Sequence, residues 1–79
     1  MRLDKYLKVS RLIKRRTVAN EACDAGRVMI NDRPAKASAD VKAGDKITIS
    51  FGNKDVSVEV LSVQETVRKE EAKEVFRYL

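Results

Sequence analysis

Seven of the first sixteen residues are cationic, namely Arg2, Lys5, Lys8, Arg11, Lys14, Arg15 and Arg16, and Asp4 is the single acid among them. Such side chains bind anions, and arginine does so with geometric selectivity. Its planar guanidinium meets a phosphate through two parallel N–H groups, which a lysine ammonium does not imitate. The crowding is sharpest in Ser-Arg-Leu-Ile-Lys-Arg-Arg-Thr-Val-Ala-Asn, residues 10–20, where three consecutive cations stand where a helix is about to begin. The positive end of a helix dipole disfavours cations there by roughly 0.3 kcal/mol or more per charge. A phosphate resolves the conflict, because it pairs with the guanidinium groups and also accepts from the unpaired N–H groups of the helix start. Asp4 has two roles open to it: a favourable first-turn acid, or a holder for an arginine such as Arg11 or Arg16.

Other chemistries are poorly supplied. The chain has no histidine, which removes the commonest general base and metal ligand, and its lone Cys23 excludes an internal disulfide and suits a reducing compartment. Cys23 falls on an apolar helical face and reads as a small core residue. Glu70, Glu71 and Glu74 read as a solvated helix face. No catalytic residue, metal or cofactor is expected. Charges interrupt the N-terminus too often for a secretory signal, and no apolar run approaches the ~20 residues that span a bilayer, so a soluble, cytoplasmic protein with no membrane partner is expected. The net charge of +5 is unevenly spread: residues 1–36 hold ten Lys/Arg against four Asp/Glu, and residues 37–79 hold seven against eight. Among the few aromatics, Tyr6 and Phe51 fall on expected core faces. A stacking platform for unpaired bases is therefore not foreseen, and structured RNA, read through phosphates and shape, is favoured.

The elements that must position these cations follow from periodicity. Leu3, Tyr6 and Leu7 share one side of a helix, with Asp4, Lys5, Lys8 and Arg11 on the other. Val9, Leu12 and Ile13 drift off that stripe, so a turn near Val9–Ser10 is expected to return Leu12 and Ile13 to the core. A second helix fits Arg15 to Ala25, with Val18, Ala19, Ala22, Cys23 and Ala25 as its apolar face, and Gly26 ends it. Val28-Met29-Ile30 starts a strand, Asn-Asp-Arg-Pro at 31–34 is a tight turn leading to an edge strand, and Gly44-Asp45 is another turn. Ile47, Ile49 and Phe51, then Val56, Val58 and Val60, alternate as a hairpin with one buried face, and the parity shift at Leu61 and Val63 predicts a bulge or bend. The last residues place Ala72, Val75, Phe76 and Leu79 on a helical stripe. The expected fold is α+β, with two or three short N-terminal helices on a small, mainly antiparallel sheet and a short C-terminal helix.

Four ordered pieces, Met-Arg-Leu-Asp-Lys-Tyr-Leu, then Ser-Arg, then Ala-Gly-Arg-Val-Met-Ile-Asn at 25–31, then Lys-Ala-Gly-Asp-Lys-Ile at 42–47, resemble the RNA-binding domain first described in small-ribosomal-subunit protein S-four, with its αL motif. The resemblance covers roughly residues 1–51. Asp32 departs from it, since the family usually has glycine after Asn31, and a non-glycine residue at positive φ costs on the order of 1 kcal/mol. The domain is nearly the whole chain here, which resembles the free-standing ribosome quality-control and heat-shock ribosome-associated branch of that family. That resemblance implies binding to a large ribosomal subunit that still carries peptidyl-tRNA, contact with large-subunit rRNA, and support of alanine tailing by the partner RqcH. By matching position it implies Arg2, Asp4, Lys5, Arg11 and Arg16 at the RNA contact.

The resulting expectation is a non-enzymatic monomer, with residues 1–66 as the RNA-binding domain and residues 67–79 as an amphipathic helix packed on it or docking a partner. Its RNA-binding residues are Arg2, Asp4, Lys5, Lys8, Arg11, Lys14, Arg15 and Arg16. A general rRNA-binding assembly factor is the alternative from the same fold. A protein-interaction module using Val75, Phe76 and Leu79 is the alternative from another class.

Overall fold

In the computed structural model, which describes residues 1–64 and 75–79, the apolar periodicities become α1 (Leu3–Val9), α2 (Arg16–Asp24), β1 (Val28–Ile30), β2 (Arg33–Pro34), β3 (Lys46–Ser50), β4 (Asp55–Val60) and β5 (Phe76–Tyr78). The sheet order is β2-β1-β3-β4-β5, and every pairing is antiparallel. Leu3, Tyr6 and Leu7 of α1, and Ala19 and Cys23 of α2, are buried in one cluster with Val28, Ile47, Ile49, Val58 and Val60 of the sheet. Small residues at positions 19 and 23 let the two helices approach closely before both meet the strands.

The helix ends are set by local chemistry. The start of α1 has no side-chain cap; instead the Leu3 and Asp4 amides donate to the Ala39 and Ala37 carbonyls at 2.8 and 3.1 Å. The first-turn donors that helices leave unpaired are thereby satisfied by the connection between β2 and β3. At its other end Arg11 adopts φ 67°, its amide donating to Lys8 O while Ile13 N–H reaches back to Leu7 O. This left-handed residue is what swings Ile13 into the core, as the drift of the apolar stripe required. Gly26, at φ 74°, closes α2 with the paired bonds Gly26 N–H to Cys23 O and Arg27 N–H to Ala22 O that define a Schellman ending.

The two turns singled out in the sequence are bound to each other. Asn31 and Asp32 both take positive φ, 52° and 67°, and link Ile30 to its partner Arg33 as a two-residue hairpin turn of the primed kind. The Asn31 side chain then donates to the buried Asp45 carboxylate at 3.2 Å and accepts from Lys46 N–H at 3.0 Å. Asp45 also accepts from Lys42 N–H at 3.1 Å, closing the Gly44-Asp45 turn. Asp32 thus keeps the turn type that glycine would serve, at the expense of a left-handed non-glycine backbone. Pro34 lies on the edge strand β2, where its missing N–H breaks no ladder.

Three expectations need correction. Residues 76–78 form strand β5, not a helix: Val60 pairs with Phe76 and Val58 with Tyr78. Consecutive Val75 and Phe76 are both buried while Leu79 is 61% exposed, so no helical stripe links them. The reason is tertiary. Tyr6, fully buried on α1, donates its hydroxyl to Val75 O at 2.7 Å, and that carbonyl also accepts from Leu61 and Ser62 N–H at 2.9 and 3.3 Å. Two residues facing one carbonyl make the bulge that the parity shift predicted. Ala72 and the remainder of the expected helix over 67–74, with Glu70, Glu71 and Glu74, lie outside the described residues. Phe51 is not in the core: β3 ends at Ser50, the chain turns through Gly52, and the ring is 44% exposed. Val18, 47% exposed, and Ala25, also exposed, are likewise off the buried face of α2, which is carried by Ala19 and Cys23 with Ala22 half-buried beside them.

Candidate nucleic-acid interface

Asp4 lies in the first turn of α1 with its side chain only 3% exposed, and two arginines converge on it. Arg2 Nε is 3.2 Å from Asp4 Oδ1 and Arg2 Nη2 is 3.4 Å from Oδ2. Arg16 Nε is 3.3 Å from Oδ2 and its Nη2 is 3.4 Å from Oδ1. Asn20 Nδ2 donates to Oδ2 at 3.3 Å, and the Lys5 amide donates to Oδ1 at 2.8 Å. Burial by itself raises the Asp4 carboxyl pKa; the hydrogen bonds from Arg16, Asn20 and the Lys5 amide, with the charge of Arg16, outweigh it and hold the carboxyl below its ordinary value.

The result is a clamp. One carboxylate fixes two guanidinium groups, yet the Arg2 and Arg16 side chains remain 53% and 48% exposed. Each guanidinium carries five N–H donors, so the edge turned from Asp4 stays available to a second anion. The site residue Asp4 is therefore placed as the holder of Arg2 and Arg16, with its own oxygens occupied inward.

Arg16 is also the first residue of α2. Arg15 occupies the N-cap position, no side-chain cap bond is made there, and no acid lies in the first turn. The start of α2 thus offers uncapped N–H groups among Lys14, Arg15 and Arg16, all exposed, in the arrangement that a phosphate satisfies. Lys5 is half-buried on α1. Lys8 is exposed in the last turn of α1, where a cation suits the helix dipole, and Arg11 is exposed in the turn between the helices.

Three residues near the expected cations were not singled out from the sequence, and a fourth, Phe51, was assigned to the core. Asn20 completes the clamp, and its signal was available, since it lies four residues after Arg16 on the same helix face. Lys36 joins Arg2, Asn20 and Cys23 around a cleft of about 380 Å³ beside the clamp. Arg27 and Phe51 line a larger groove of about 630 Å³ with Lys14, Arg15 and Val18. No local pattern announces these, because they come from separate elements.

Burial, reinforced by the charges of Asp4 and Asp24, pushes the Cys23 thiol up to about 11, so it stays protonated at neutral pH. Among the described residues no group of three or more His, Cys, Asp or Glu could hold a metal ion, and no helix is long and apolar enough to cross a membrane.

Known proteins are similar to this chain over most of its length. A protein of Halalkalibacterium halodurans named RQC P-site tRNA stabilizing factor is 59% identical over 76 residues, which cover 96% of this chain and 86% of that one. A Bacillus subtilis protein of the same name is 57% identical over 79 residues, covering 100% of this chain and 92% of that one. The trimeric structure of Vibrio cholerae heat shock protein 15 matches at a TM-score of 0.92 and 30% identity, covering 100% of this chain and 81% of the other. The sequence pattern of the S4 domain itself matches residues 1–47, the span that holds both helices, the Asp4 clamp and the paired Asn31 and Asp45 turns, and on that match this chain belongs to the S4 domain family.

Proposed function

We propose that the protein is an RNA-binding factor of ribosome-associated quality control, which binds the large ribosomal subunit carrying peptidyl-tRNA and stabilises the tRNA in the peptidyl site. In this reading it supports alanine tailing of stalled chains by RqcH, works in the cytoplasm as a monomer, and catalyses nothing. The observation that carries the RNA contact is the Asp4 clamp, which presents Arg2 and Arg16 pre-oriented beside the uncapped start of α2. Pre-orientation matters because ordering a long side chain on binding costs about 0.5–1.5 kcal/mol, which the folded protein has already met for these two. Lys5, Lys8, Arg11, Lys14 and Arg15 surround them and supply field. The tRNA as target rests on the 57–59% identical relatives, whose name specifies a P-site tRNA, and the large subunit is the expectation that the sequence resemblance implied.

The test is co-purification and its salt dependence. Tagged protein should bring down large subunits together with tRNA. If about five phosphates are neutralised, log K should fall against log salt with a slope of roughly −3.5 to −4.5. A flat dependence would refute the basic face as the contact. Sedimentation with immature particles, in place of subunits holding tRNA, would favour the general assembly factor. A trimer in light scattering at working concentration, as in the Vibrio cholerae structure, would refute the monomer.

A further inference from the structure

The groove of about 630 Å³ at the start of α2 is lined by apolar side chains and by three cations. Leu12, Ile13, Val18, Ala22, Ile49 and Phe51 form the walls, Lys14, Arg15 and Arg27 the rim, and among the described residues no acid lines it. It has the dimensions of pockets that enclose small organic ligands, about 300–1,000 Å³. Two of its wall residues, Val18 of α2 and Phe51 just after β3, are large and apolar yet 47% and 44% exposed, whereas the inward-facing strand residues Ile47, Ile49, Val58 and Val60 are all at 1% or less. Among the described residues nothing covers the outer faces of these two side chains.

Two features point to the occupant. Lys14 and Arg15 belong at once to the groove rim and to the start of α2, so the groove continues the basic face without a break. Its charge also suits one partner: an aromatic, weakly polar ring flanked by anions, with three cations to meet them. We propose that the groove is a nucleobase pocket, in which one unpaired base, from a loop or bulge of the RNA held on the basic face, stacks on Phe51 and packs against Val18. Lys14, Arg15 and Arg27 then take the phosphates on either side of it. This rests on the RNA-binding reading and adds a base contact to a surface otherwise built for phosphates. It also revises the expectation that the chain lacks an aromatic platform, which assumed a buried Phe51. Base-on-aromatic stacking is sequence-tolerant and is typically felt as a loss of roughly five- to hundredfold in affinity when the ring is removed.

The experiment measures binding of the full chain to purified large ribosomal subunits carrying peptidyl-tRNA, across a salt series, for Phe51→Leu, Phe51→Trp and Arg16→Ala, with thermal melts confirming that each is folded. Phe51→Leu keeps apolar bulk and loses the ring; Phe51→Trp keeps a ring. The expected result is a roughly five- to hundredfold loss for Phe51→Leu at unchanged salt slope, with near wild-type binding for Phe51→Trp. Arg16→Ala should instead make the slope shallower by about 0.7–0.9. Unchanged binding by Phe51→Leu alongside weakened binding by Arg16→Ala overturns the base pocket and leaves the RNA reading standing. Equal loss in Phe51→Leu and Phe51→Trp also overturns it, because a packed protein segment or a distorted turn would respond in that way. Unchanged binding by every variant, Arg16→Ala included, overturns the RNA reading itself.

Discussion

Asp4→Asn preserves the shape at the centre of the arginine clamp and removes its charge, so two effects on RNA affinity pull in opposite directions. Deleting a negative charge ~7 Å from a bound phosphate should favour binding by about 0.6 kcal/mol in a water-like dielectric. Losing the charge also releases Arg2 and Arg16, each now held by two contacts of 3.2–3.4 Å. Re-ordering both on binding costs about 1–3 kcal/mol, so the second effect wins and affinity should fall roughly tenfold, within about 2- to 60-fold. Stability falls as well. Breaking a fully buried ion pair costs about 3–5 kcal/mol, but these guanidinium groups are about half exposed and screened, which reduces the expectation to about 2 kcal/mol. For a domain of this size that lowers Tm by roughly 8–16 °C. The assay is sedimentation with large subunits carrying peptidyl-tRNA at a temperature where circular dichroism shows the variant folded. A folded variant that binds as tightly as the wild type, or more tightly, refutes pre-orientation and leaves only the field of the cations.

Arg16→Ala should weaken subunit association far more than Lys54→Ala, which lies in the exposed turn between β3 and β4; equal losses in a pull-down would sink the assignment of the helix start. Asp32→Gly should raise Tm by roughly 4–8 °C, since it relieves about 1 kcal/mol of left-handed strain and gives up only an exposed 3.2 Å pair with Lys46. A fall in Tm would show that this ion pair outweighs the backbone. On the acid side, the Asp4 carboxyl titrates lower in the folded than in the unfolded chain, so its contribution is complete above the ordinary value of 3.8 and is lost as pH falls through the folded value. Urea melts should therefore show the wild type losing stability over that window faster than Asp4→Asn; parallel curves would contradict the clamp.

What could be read from the chain alone was whatever is encoded within a few residues. The stripe Leu3, Tyr6, Leu7 gives α1, and Gly26 ends α2 because only its backbone enters the left-handed region without strain. Asn31 tolerates the same region at the hairpin turn, Val28 to Ile30 is an apolar run of strand length, and Ile47 and Ile49, then Val56, Val58 and Val60, alternate as strands. The concentration of cations in residues 1–16 is likewise a property of sequence, and the four motif pieces carried the family. Tertiary structure decided the rest. Asp4 chooses Arg16 and Asn20 across 12 and 16 residues only because α1 and α2 pack together. Phe76 to Tyr78 become a strand because the Val75 carbonyl is claimed by Tyr6 from 69 residues away, and because β4 presents an open edge. Helical spacing and strand alternation compete on equal terms in so short a segment, and nonlocal hydrogen bonds settle the contest. Phe51 and Val18 carry the same hydrophobicity as core residues, and their exposure follows from where the helices and the β3–β4 turn stop covering one another, which no local pattern records.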